Sequence, residues 1–152
     1  MEQNLVCAKN GIPLYLLSTN EFSQWQLDQS DFTQNWLENT QYEGKGLCLI
    51  PSENGSLHCA LFCSNDLQDF FASADIAKQL PAQQFLLKCK DTLRLNAAIS
   101  WGLSAYQFEL YKKSDKAQPV LAIDNQNIVD QANNFISAIH LVRDMVNTPA
   151  SD

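Results

Sequence analysis

Apolar residues recur at three- and four-residue steps through Ile128, Ala132, Phe135, Ile136, Ile139, Val142 and Val146. That spacing predicts a helix over 128–146 that buries one stripe. Asn127 is placed to cap it by accepting from a first-turn amide, and Asp130 suits the positive end of the helix dipole. Pro149 disfavours helix at Thr148 and cannot extend the hydrogen-bond ladder, so the helix must stop near Asn147. At ~1.5 Å per residue its length is about 28 Å. A long helix running into a turn a few residues before the sequence stops is the pattern expected of a junction between domains.

Upstream, the pattern alternates between short apolar runs and helical periods. Leu5–Ala8 and Leu14–Leu17 read as a pair of strands around Asn10-Gly11-Ile12-Pro13. A Gln-rich segment follows, with Phe22, Trp25 and Leu27 as isolated anchors. Ser30 or Asp31 then caps a short helix carrying Phe32, Trp36 and Leu37. The runs 46–51 and 57–63 flank Asn54-Gly55, the best hairpin signal present. Both arms are apolar on both faces, which predicts central strands covered on two sides. Asn65 or Asp66 starts a helix with Leu67, Phe70, Phe71, Ala74 and Ala77 inward, ending before Pro81. A strand over 84–89 precedes a long helix over 91–113, whose two apolar stripes call for contacts on more than one side. Gly102 in its middle costs about 1 kcal/mol relative to Ala, so a close approach by another element should compensate. The segment 119–123 is the last strand. The order predicts an α/β layered domain with a mixed, mostly buried sheet flanked by helices. Residues 1–127 form that domain, and 128–152 form a connecting helix and the start of a linker.

Composition narrows the function classes. With 152 residues, 45% of them hydrophobic and 18% charged, the chain suits one globular domain with its own core. Ten basic against seventeen acidic residues give a net charge of −7. Lys112, Lys113 and Lys116 make the one basic cluster, which argues against a nucleic-acid partner. No run reaches the ~20 apolar residues of a membrane span, and the start MEQNLVCAKN lacks a signal-peptide layout. A cytoplasmic protein with reduced cysteines is expected, since the five cysteines are odd in number and lie mostly in apolar runs.

Candidate chemistry is sparse. Cys48, His58, Cys59 and Cys63 are the nearest thing to a metal set, but strand alternation puts Cys59 and Cys63 on one face and His58 on the other with Phe62. His140 lies one helical turn from Asp144, a spacing that suits a solvated or locally paired face. The carboxylate pairs Asp28/Asp31 and Asp66/Asp69 sit at helix starts, where capping accounts for them. Five scattered glycines make no phosphate-cradling loop, and Gly44-Lys45-Gly46 reads as a strand lead-in. Trp101, Tyr106, Phe108 and Tyr111 lie at helical spacing and read as packing residues. No catalytic and no metal-binding residue is assigned.

Three stretches together resemble the leucyl aminopeptidase (cytosol aminopeptidase) family of dinuclear metallopeptidases, in its bacterial form with a short N-terminal domain. They are Trp36-Leu37-Glu38 with Gly44-Lys45 and the 47–50 strand, then 101–108 with Tyr111-Lys112, and above all 142–152, reading VRDMVNTPASD. The last is similar to the family's lead from the N-terminal into the catalytic domain. The resemblance implies a macro-domain-like, non-catalytic N-terminal domain of an enzyme that removes N-terminal residues from peptides. It also implies that the two divalent metal ions, zinc or manganese, are bound by a C-terminal catalytic domain, and that the whole protein is a homohexamer. The residues it marks are those of the interdomain junction: Arg143, Asp144, Asn147, Thr148 and Pro149. An alternative from another class is an autonomous macro-domain-like module that binds a nucleotide-like small ligand.

Overall fold

Strands that are apolar on both faces satisfy their surfaces only as the inner layer of a sandwich, with helices above and below. The computed structural model has that architecture; it describes residues 4–67, 72–111 and 118–147, with side chains except at 72–74, 105–111 and 143–147. In chain order the elements are β1 (Leu5–Cys7), β2 (Ile12–Leu17), α1 (Thr19–Leu27), α2 (Asp31–Asn39), β3 (Gly46–Pro51) and β4 (Leu57–Cys63). Then come α3 (Ala72–Gln79), β5 (Gln84–Lys88), α4 (Asp91–Tyr111), β6 (Val120–Ile123) and α5 (Gln126–Asn147). The six-stranded sheet has the order β1-β6-β5-β2-β4-β3. Its strands are parallel except for β3, which pairs with β4 antiparallel.

Alternation along each strand divides the core between the two faces. Leu14, Leu16, Ala60, Phe85, Leu87, Leu121 and Ile123 pack in one cluster with Ile76 of α3, Trp101 of α4 and Ile136 of α5. On the other face Tyr15, Leu17, Cys59, Leu61 and Cys63 meet Phe22 of α1 and Leu37 of α2. The rings of Phe22 and Tyr42 meet edge to face at 5.3 Å, and those of Tyr15 and Trp25 at 5.2 Å. Gly44, at φ +81°, lies against Phe22 so closely that a Cβ there would come within 2.8 Å of the ring.

Several expectations change in detail. β1 and β2 exist but do not pair with each other, because β6 and β5 lie between them. Pro13 is tolerated in β2 because pairing to β4 begins only at Leu14, so the missing amide falls where β2 has a neighbour on one side. The Gln-rich segment is helical: Ser18 Oγ accepts from the Glu21 amide at 3.2 Å and Glu21 Oε1 accepts from the Ser18 amide at 3.0 Å. This capping box satisfies two orphan donors of α1. Ser30 caps α2 without the return bond, its Oγ accepting from the Thr33 amide at 3.3 Å. Of the hairpin arms only β4 is interior; β3 forms the sheet edge, and Leu49 is 38% exposed there. Phe70, Phe71, Lys112, Lys113 and Lys116 lie outside the described residues.

α5 begins one to two residues earlier than its apolar stripe suggests, and Asn125 rather than Asn127 caps it, accepting from the Ile128 amide at 3.2 Å. Val129, Ala132 and Ile136 are buried with Ile128 and Ile139 beside them, whereas Phe135 and Val142 face outward. A helix of this length, about 33 Å at ~1.5 Å per residue, outruns the short strands it packs on. Past Ile139, Leu141 and Val142 face solvent.

The glycine in α4 is explained by α5. A Cβ on Gly102 would lie 2.1 Å from Ile136 Cδ1 and 3.2 Å from its Cγ1. Replacing Gly102 by Ala gains about 1 kcal/mol of helix propensity but overpacks a closed contact, which costs roughly 1–3 kcal/mol. A net loss of about 1 kcal/mol is expected in urea unfolding. Ile136→Val removes Cδ1, so the double variant should be more stable than the sum of the single changes. A Gly102→Ala protein more stable than the parent would refute this packing account.

Candidate functional site

The second half of α5 carries the residues that the sequence marks as a junction. Arg143, Asp144 and Asn147 lie on its helical backbone, and Thr148 and Pro149 lie outside the described residues. Immediately before them the helix shows solvent an apolar group: Phe135 is 49% exposed, Leu141 62% and Val142 58%. With Ala138, also exposed, they lie at three-, four- and seven-residue steps on the side turned from the Val129–Ile136 stripe. Apolar side chains gathered on one solvent-facing helical surface mark a contact site more often than scattered single ones do.

Among the described residues, His58, His140 and the cysteines are spread over both faces of the sheet. A register shift between Ile50 and Pro51 inserts one extra residue into β4, and His58 is thereby re-aimed. It sits, exposed, in a shallow hollow with Ser30 and Thr33 of α2, not on the side of Phe62 as strict alternation would have it. His140 is on α5, across the sheet from α2. Cys48, Cys59 and Cys63 share the face covered by α1 and α2. Burial pushes all three thiols up from the ordinary value, Cys59 to about 12, with Cys48 adding to the shift at Cys59 and Cys63. Burial likewise pushes Cys89 up to about 11. Thiols held protonated are poor nucleophiles and poor metal ligands. Among the described residues no three His, Cys, Asp or Glu side chains are grouped to hold a metal ion.

This burial has a measurable consequence. In the folded protein a thiol reagent at neutral pH should modify exposed Cys7 quickly, and Cys59 and Cys63 only after denaturation. Because the folded-state thiol values are raised, the stability linked to them is fully present below the ordinary thiol pKa and falls as pH rises above it. Rapid labelling of Cys59 in the native state would contradict the burial.

A separate feature lies at the carboxyl end of the sheet. The segments that follow β2, β4 and β5, three adjacent parallel strands, line an open cavity of about 410 Å³. From β2 the chain leaves into α1 on one face; from β5 it leaves into α4 on the other. Diverging connections of this kind open a crevice outside the strand ends, the usual ligand position in open α/β sheets. Ser18 and Glu21 come from the first segment, Ser64 and Asp66 from the second, Lys90 and Thr92 from the third. Glu21 Oε2 and Lys90 Nζ stand 3.9 Å apart across it. The hydrogen bond from the Ser18 amide is the main cause that holds the Glu21 carboxyl below the usual range, with Lys90 adding a smaller pull. Sequence reading missed this cavity because its parts are far apart along the chain; the available signal was three polar turns, each directly after a buried strand.

The model of the family described as M17 aminopeptidase, N-terminal domain, matches residues 12–124. The crystal structure of the cytosol aminopeptidase from Coxiella burnetii is similar to this chain, with a TM-score of 0.80 and 27% sequence identity. The alignment covers 96% of this chain and 33% of that one, so the chain spans about a third of the length of the enzyme it matches. No curated protein sequence matches it. Among the described residues, no helix is long and apolar enough to cross a membrane.

Proposed function

Because the chain belongs to the M17 aminopeptidase family, whose N-terminal domain it matches over most of its length, we propose that it is the non-catalytic N-terminal domain of a metal-dependent leucyl aminopeptidase that removes N-terminal amino acids from peptides in the cytoplasm. Its task in this reading is to position the catalytic domain and to support assembly of the homo-oligomer, a hexamer. Residues 1–127 supply the α/β body and 128–152 the connection. Arg143, Asp144, Asn147, Thr148 and Pro149 mark the passage into a C-terminal domain that holds two zinc or manganese ions.

The observation that carries the reading is the division of labour along α5. Its first half is sealed into the core by Val129, Ala132 and Ile136, while Phe135, Leu141 and Val142 face outward just before the junction. A helix anchored at one end and apolar at the other transmits its orientation to whatever docks on it. The acidic charge of −7 opposes a DNA-binding role. The test is an aminopeptidase assay of this chain alone and joined to the catalytic portion, with added manganese or zinc.

A further inference from the structure

None of the residues lining the cavity at the ends of β2, β4 and β5 belongs to α5, and the lining is chemically specific. Two carboxylates, Glu21 and Asp66, share it with one ammonium, Lys90. Leu67 and Leu93 add apolar surface; Leu93 is buried and Leu67 partly so. The Ser18 and Ser64 hydroxyls and the first turn of α4 at Thr92 supply further polar groups.

We propose that this cavity binds a free α-amino acid with an apolar side chain. The choice of an amino acid rests on the peptidase reading above, because such a molecule is what an aminopeptidase releases. The cavity and its charges stand apart from that reading. An α-ammonium group would lie between Glu21 and Asp66, and the α-carboxylate would face Lys90 and the positive N-terminal end of α4. The side chain would rest on Leu67 and Leu93. Glu21 and Lys90 form only a loose pair, at 3.9 Å with Lys90 largely exposed. A zwitterion inserted between them exchanges that weak contact for two charge-assisted ones. A nucleotide diphosphate fits poorly, since its several negative charges would meet two carboxylates and a single lysine.

The experiment is a calorimetric titration of L-leucine into the 152-residue chain, with leucinamide, 4-methylpentanoate and ADP-ribose as comparisons. Leucinamide lacks the carboxylate and 4-methylpentanoate the ammonium. Saturable binding of leucine, weaker for both analogues, is expected. Lys90→Met and Glu21→Gln should each lower leucine affinity roughly tenfold, the scale of one lost hydrogen bond to a charged group. The glutamine keeps the acceptor that caps α1, and thermal unfolding confirms that each variant is folded. Absence of saturable leucine binding, affinity unchanged in both variants, or binding of ADP-ribose in preference to leucine would overturn the proposal. These readouts involve no peptidase activity. A failure of the site and a failure of the aminopeptidase reading are therefore told apart.

Discussion

Replacing Trp101 by Ala should remove about 3–5 kcal/mol of stability, the range for deleting a large buried aromatic. Trp101 is 1% exposed and belongs to the cluster where α4 and α5 close over the sheet. Its side chain makes no hydrogen bond through Nε1, so the loss would be one of packing and cavity formation. Its carbonyl accepts from Asn4 Nδ2 at 2.9 Å, and Asn4 also offers its own carbonyl to the Leu121 amide. Those backbone contacts survive the substitution, which keeps β1 attached and makes the expected effect a lower midpoint in urea with little change of slope. A domain of this size has only about 5–15 kcal/mol to lose. Phe135→Ala, at a side chain 49% exposed, should by contrast stay within about 0.5 kcal/mol of the parent. Equal costs at the two positions would mean that α5 packs with a different face than the structure shows.

The second large effect separates folding from assembly. Leu141→Glu combined with Val142→Glu places two charges where 62% and 58% of the side chains are exposed. In the isolated chain the change should be nearly neutral, within about 0.5 kcal/mol for each surface site. In the protein joined to its catalytic portion the same charges would fall at a desolvated contact. Central apolar anchors of interfaces typically cost 2 kcal/mol or more when lost, roughly a thirtyfold weakening. Domain docking, and with it the oligomer and the aminopeptidase rate, should therefore fall while the N-terminal domain remains folded. Unchanged oligomer mass and rate in the joined protein would show that this face of α5 has no positioning role.

Much of the fold could be read from local pattern because the pattern had a local cause. The Asn54-Gly55 turn between two apolar runs specified the β3–β4 hairpin. Gly102 in a helical period implied a close neighbour, and Ile136 is that neighbour. The period through Ile128 and Ile136 specified α5, though of the expected stripe Ala132 and Ile136 are buried, Ile128 and Ile139 partly so, and Phe135 and Val142 exposed. What escaped depended on distant partners. β1 and β2 are adjacent in sequence, and only the later strands β5 and β6, inserted between them, decide that they do not pair. The helix α1 lacks a strong apolar stripe and is specified instead by the reciprocal bonds of Ser18 and Glu21, a signal of two residues. His58 was assigned to the wrong side because a bulge breaks the period of two. The candidate sites divide in the same way. The proposed junction at 143–149 rests on a motif contiguous in sequence, whereas the cavity needed three strand ends brought together by the sheet.

The central claim is that this domain supplies position, not chemistry. The direct measurement is release of leucine from a leucyl peptide by the purified 152-residue chain with manganese or zinc, beside the same chain joined to its catalytic portion. The account predicts no metal-dependent release by the chain alone and release by the joined protein that a chelator abolishes. Chelator-sensitive release by the chain alone would contradict it.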